Sequence, residues 1–112
     1  MWSYLDFKTY FLLYFSFSEN VQGNQKRQLI IDSVGELKFE AHLDQILEDR
    51  SMVSRRKIRK YISKNDISIE KITSLYNELR QLFQCNHSST ALTNREEEII
   101  KTIIKTYFKV DI

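Results

Sequence analysis

Proline is absent from this chain of 112 residues, and glycine occurs only at Gly23 and Gly35. A β-sandwich or barrel spends many Gly, Pro and Asn residues on its turns, so this scarcity points to helices. Cysteine occurs once, at Cys85, which excludes an intramolecular disulfide and fits a reducing compartment. Charge of one sign is also lacking. The net charge of +2 argues against a protein that wraps nucleic acid and against a disordered polyionic tail. Absent too are a Gly-rich phosphate loop, an H-E-x-x-H zinc signature and any evident nucleophile–base–orienter set. The reading that follows is of a non-catalytic chain needing no cofactor.

What is present is one strongly apolar stretch, Trp2–Phe17, around which the rest is arranged. From Tyr10 onward it is apolar almost all round, and the whole stretch has polar groups only at Ser3, Asp6, Lys8, Thr9 and Ser16. A surface helix carries one apolar stripe and one polar face. This segment is therefore predicted to be a central helix covered by the others. A secretory signal wants a positive start and a small-residue cleavage site. Asp6 and Lys8 precede the apolar run here, and the segment SENVQG after it offers no such site. A membrane span needs about 20 apolar residues, many more than the run Tyr10–Phe17 supplies. A cytoplasmic location without a membrane span is expected. The richness in Ile, Lys, Asn, Phe and Tyr fits an AT-biased bacterial genome.

Further along, the periodicity predicts an all-α, compact bundle of about six helices forming one domain over residues 1–112. A second helix carries Leu29, Ile30, Ile31 and Val34, with Asn24 as a candidate cap and Gly35 as its natural stop. A short helix follows, with Phe39, Leu43, Ile46 and Leu47 on one face. The next, SRRKIRKYISKN, turns Ile58, Tyr61 and Ile62 inward. Ile69, Ile72, Leu75, Tyr76, Leu79, Leu82 and Phe83 then repeat at three and four, an amphipathic stripe. Thr93 and Glu96 form a capping-box signature before a last helix carrying Ile99, Ile100, Ile103, Ile104, Tyr107 and Phe108. Leu12, Leu13, Ile30, Leu79, Ile100 and Ile104 are expected among the buried residues.

Two helix–loop–helix junctions can be superposed in sequence. Ser18, Val21 and Gln25 fall on Ser89, Leu92 and Glu96 at one constant offset. In both, an apolar-rich helix runs into a polar loop with one aliphatic residue four places before Gln25 or Glu96. On these residues the chain resembles the TerB-like tellurite-resistance domains, all-α folds built from two related helix pairs. Their loops look like Ala-Asp-Gly-x-Ile-x-x-x-Glu. The resemblance spans roughly residues 10–108 and implies a stress-associated interaction module. The family's Asp corresponds to Ser18 and Ser89 here, its Gly to Glu19 and Thr90, and its Glu survives only at Glu96. The fold carries over in this resemblance, whereas the acidic metal site does not.

Four features bear on function. Ser18, Asn20 and Gln22, with Gly23 in sixth place, imitate the front of a calcium loop. The carboxylates are missing, however, and the twelfth position is Leu29. Cys85 and His87 could supply two metal ligands, the start of a small metal-dependent enzyme. A structural zinc site wants four, and His42 is the only other histidine. The sharpest charge feature is the row Arg56, Lys60 and Lys64, spaced to line up along a helix. Asp44, Glu48, Asp49 and Asp66 flank it. The aromatic pair Trp2 and Tyr4 is expected to be exposed and to anchor a second chain. The candidate partner-binding residues are thus Trp2, Tyr4, Arg56, Lys60 and Lys64. They serve a protein partner or self-association, with a nucleic-acid-associated regulator built on residues 55–64 as the alternative.

Because neither loop carries a carboxylate set, millimolar calcium is expected to leave the melting temperature unchanged. A ligand that binds only the folded state raises it. A calcium-dependent rise in a differential scanning fluorimetry melt would overturn this reading of the loops.

Overall fold

The structure, a computed structural model, describes residues 1–18, 24–85 and 91–111. They form six helices, with no strand among the described residues. These are α1 (Tyr4–Ser18), α2 (Asn24–Val34), α3 (Glu36–Glu48), α4 (Ser51–Lys64), α5 (Ile69–Gln84) and α6 (Asn94–Phe108). The loop residues 19–23 and 86–90 lie outside the described residues. The calcium-loop reading, His87, the Asn24 cap and the loop part of the resemblance fall wholly or partly there, and none is tested by the geometry.

Helix α1 is the central element. Phe7 and every residue from Thr9 to Ser16 are buried. Its neighbours are α2, α3, α4 and α5, and its rings also reach α6: Phe11 meets Phe108 at 5.7 Å and Phe15 meets Tyr107 at 5.4 Å between centroids. A polar group buried without a partner is costly, so each polar residue of this helix has to be satisfied. Thr9 Oγ1 donates to the Leu5 carbonyl at 2.7 Å, and Ser16 Oγ to that of Leu13 at 2.9 Å. Lys8 Nζ lies 3.0 Å from Glu78 of α5. Ser3 and Asp6 bind each other at the helix start.

Local signals set the helix ends. Thr93 Oγ1 accepts from the Glu96 amide at 3.1 Å, while the Glu96 carboxylate accepts from the Thr93 amide at 2.9 Å, the reciprocal box expected from the sequence. Ser68 caps α5 by accepting from the Lys71 amide. Gly35 alone joins α2 to α3, and its amide donates to the Ile31 carbonyl at 2.7 Å. Its φ of +89° is a backbone state open to glycine at little strain.

The expected core residues Leu12, Leu13, Ile30, Leu79, Ile100 and Ile104 are all buried. Three apolar residues assigned to inward faces are not. Leu47 is 67% exposed because α3 buries Phe39, His42 and Ile46, and Leu47 falls in its last turn, beyond that stripe. Ile69 is exposed because it is the first residue of α5, one turn before the buried stripe begins at Ile72. Phe17 is exposed at the end of α1, with the Lys26 ammonium 5.0 Å from its ring centroid.

Leu79 has no solvent exposure, so Leu79→Ala should destabilise the fold by about 2–5 kcal/mol. Urea denaturation followed by circular dichroism measures this, and a loss under about half a kcal/mol would show that the site collapses around the deletion.

Candidate binding groove

The start of α1 is held by a bond pattern that also directs the chain before it. Ser3 donates to Asp6 Oδ2 through both its amide and its hydroxyl, each at 2.9 Å, and the Asp6 amide donates back to Ser3 Oγ at 3.2 Å. This is a capping box with aspartate at the third helical position. With Ser3 fixed, Trp2 folds back against its own chain. Its ring lies 4.8 Å from that of Tyr10, 5.7 Å and perpendicular to that of His42, and 6.5 Å from that of Tyr61. The expectation of a freely exposed Trp2 is therefore corrected, because the capping box turns the indole onto α1, α3 and α4. Tyr4 is also half-buried, tilted against Phe7 at 6.1 Å between centroids and covered by the Lys71 ammonium at 4.4 Å. Burial, reinforced by the Glu78 charge, pushes its phenol up to about 12. Tyr4 does not line the groove that Trp2 closes, so the two aromatics do not form one anchor.

Asp6 also fastens α3. Its Oδ1 accepts from Lys38 Nζ at 2.7 Å and from His42 Nε2 at 2.9 Å. A carboxylate can only accept, so His42 carries its proton on Nε2 in this arrangement. Burial raises the Asp6 carboxyl, but the bonds from His42, Lys38 and Ser3 together outweigh it and hold the group well below the usual carboxylate range. A second carboxylate, Asp49, organises the corner between α3 and α4. It accepts from the Tyr10 hydroxyl at 2.5 Å, from Lys57 Nζ at 2.7 Å and from Gln45 Nε2 at 3.0 Å. Burial works against its ionisation too, and the bonds from Lys57, Tyr10 and Gln45 lower its pKa overall.

Between these elements lies an open groove of about 800 Å³. Met1 and Trp2 form one end, and Ala41, His42 and Gln45 of α3 form one wall. The other wall is Lys57, Lys60, Tyr61 and Lys64 of α4, with Asn65 just beyond. Positions 57, 60, 61 and 64 are spaced to share one helix face. Tyr61 supports that face by stacking on Phe7 at 4.4 Å between centroids. Three of the lining residues are lysines and none is a carboxylate. Lys57 is paired with Asp49, whereas Lys60 and Lys64 are exposed and make no ion pair among the described residues.

Two candidates that the sequence presents separately, Trp2 and the pair Lys60–Lys64, thus meet in one groove. Arg56 does not join them. With Met52, Arg55, Arg59, Lys60 and Ser63 it lines an adjacent, shallower basic surface. The sequence reading missed Lys57, Tyr61 and His42 as groove residues. A signal was present in the Ser3-x-x-Asp6 capping signature and in the spacing of Lys57, Lys60, Tyr61 and Lys64.

Cys85 is half-buried, and burial pushes its thiol up, the opposite of an activated nucleophile. Among the described residues no group of three His, Cys, Asp or Glu side chains could hold a metal ion. No described helix is long and apolar enough to cross a membrane. Comparison with known protein families, with curated proteins and with solved structures finds no match.

The Asp6 carboxyl is depressed in the folded chain, so its stabilising contribution is present above its unfolded pKa of about 4 and is lost as pH falls below that value. Asp6→Asn should lower stability by about 1.5–3 kcal/mol at pH 7, and the gap to the parent chain should narrow below about pH 4. Chemical denaturation at pH 7, 5 and 3 checks this. A gap that stays constant over that range would mean the charge on Asp6 contributes nothing.

Proposed function

We propose that this chain is a non-catalytic interaction module that receives a protein partner in the groove between Trp2, α3 and α4. The observation that carries the reading is a groove with an aromatic end and lysines but no carboxylate along its walls. Aromatic residues in concave sites serve as anchors, and unpaired rim charges give orientation and association rate. The TerB-like resemblance and the single cysteine support a cytoplasmic, stress-associated setting for such a module. A second reading, a nucleic-acid-associated regulator, draws on the basic surface of Arg55, Arg56, Arg59 and Lys60.

The test is photocrosslinking in native cell extract from benzoylphenylalanine placed at Ala41, in the groove, or at Lys101, exposed on α6. A discrete protein adduct is expected from position 41 only, and it should be lost on Lys60→Glu/Lys64→Glu. Equal adducts from both positions, or none from position 41, would refute the reading. A nucleic-acid adduct with steep salt dependence, abolished by Arg56→Glu/Lys60→Glu, would establish the second reading instead.

A further inference from the structure

We infer that the segment the groove receives is a short acidic peptide in extended form, with two carboxylates at alternate positions and one aliphatic side chain between them. The inference rests on the interaction-module reading and adds the chemistry of the occupant. Charge is the first argument. Asp6 and Asp49 sit behind the groove and are occupied, Asp6 by Lys38 and His42 and Asp49 by Tyr10, Lys57 and Gln45. Lys60 and Lys64 are left without a counter-charge on the rim.

Spacing is the second argument. Residues four apart on a helix are separated by about 6 Å along its axis, so Lys60 and Lys64 present two ammonium groups about one turn apart. In an extended chain, side chains two residues apart share a face at about 6.6–6.8 Å. An acid–aliphatic–acid triplet therefore sets one carboxylate against each lysine and turns its middle side chain to the other side. There Trp2 and Ala41 supply the apolar end and wall.

The donor chemistry separates this occupant from a nucleic-acid strand. A nucleic-acid strand is tracked by a continuous run of cations along its phosphates. The arginines of α4 lie on the adjacent surface, and the groove offers lysines alone. The His42 Nε2 proton is committed to Asp6 and is not free to read a base edge.

Trp2 is the only tryptophan in the chain and lines the groove, so its emission reports occupancy directly. The full chain is titrated at low salt with acetyl-Ser-Glu-Leu-Glu-Ser-amide. Control titrations use the Lys-Leu-Lys and Glu-Gly-Glu counterparts and oligo(dT). A saturable emission change is expected for the Glu-Leu-Glu peptide at or below about 1 mM. It should weaken about tenfold or more on Lys60→Glu/Lys64→Glu, and also as salt is raised. Both lysines are exposed, and circular dichroism melts verify that the double variant keeps the fold. Equal binding of the Glu-Gly-Glu peptide would remove the aliphatic anchor from the proposal and overturn it. Binding of the Lys-Leu-Lys peptide, tighter binding of oligo(dT), or no emission change with any peptide at about 1 mM would overturn it as well. If the position-41 protein adduct persists while the peptides fail, the module reading stands and only the occupant's chemistry falls.

Discussion

Helix α1 is covered on almost every side, and water can reach few of its polar atoms. Each of those atoms must therefore be answered from within the protein, and the answers determine where the other helices sit. Thr9 and Ser16 turn back to carbonyls of their own helix, which avoids an unsatisfied hydroxyl without recruiting a neighbour. Lys8 reaches Glu78 and so ties α5 to the centre. Asp6 recruits Lys38 and His42 of α3. The Tyr10 hydroxyl meets Asp49, while that of Tyr14 lies 2.9 Å from Ser51 at the start of α4. Apolar packing supplies most of the driving force, but it is non-directional. The polar bonds add direction, because a one-turn slip of α3 would separate Asp6 from His42 and strand both.

The groove follows from the same bonds. Asp6 and Asp49 bond to side chains that line it, and both are spent on holding α3 and α4. The lysines further along α4 consequently face solvent without a counter-charge. A site of this kind differs from a run of surface lysines in having a fixed aromatic end. Trp2 is held by contacts with Tyr10, His42 and Tyr61 and does not have to be ordered when a ligand arrives, which lowers the entropic cost of binding.

Much of the fold was legible in the sequence for identifiable reasons. The all-round apolarity of Tyr10–Phe17 marked a buried helix, and Thr93 with Glu96 marked the start of α6. The stripe from Ile72 to Phe83 marked a helix with one face inward. Leu47 and Ile69 were misassigned because periodicity gives the direction of a side chain and not whether the neighbouring helix extends that far. The groove was legible only in pieces. Arg56, Lys60 and Lys64 share a row at a spacing of four, and so do Lys57, Tyr61 and Lys64 at spacings of four and three. Sequence alone could not say which row faces Trp2, since that is decided by α4 docking on α1, where the Tyr10 hydroxyl meets Ser54 across 44 positions of chain. Tyr4 was paired with Trp2 by proximity in sequence, although only Trp2 lines the groove.

The two walls of the groove come from helices joined by a corner of two residues, Asp49 and Arg50. Its aromatic end comes from a segment far upstream. Loop-closure entropy is small for the first pairing and larger for the second, which must enclose the 36 positions between Asp6 and His42 or the 44 between Tyr10 and Ser54. α3 and α4 meet at that corner through Asp49 and Lys57 and pack chiefly on α1, so both walls and the indole reach their places only once α1 has docked across that distance. A groove with both walls and its aromatic end in place consequently belongs to the completed fold alone. Partly folded chains carry the lysines without the aromatic end, so ring and charge come together only in the last step of the chain's own assembly.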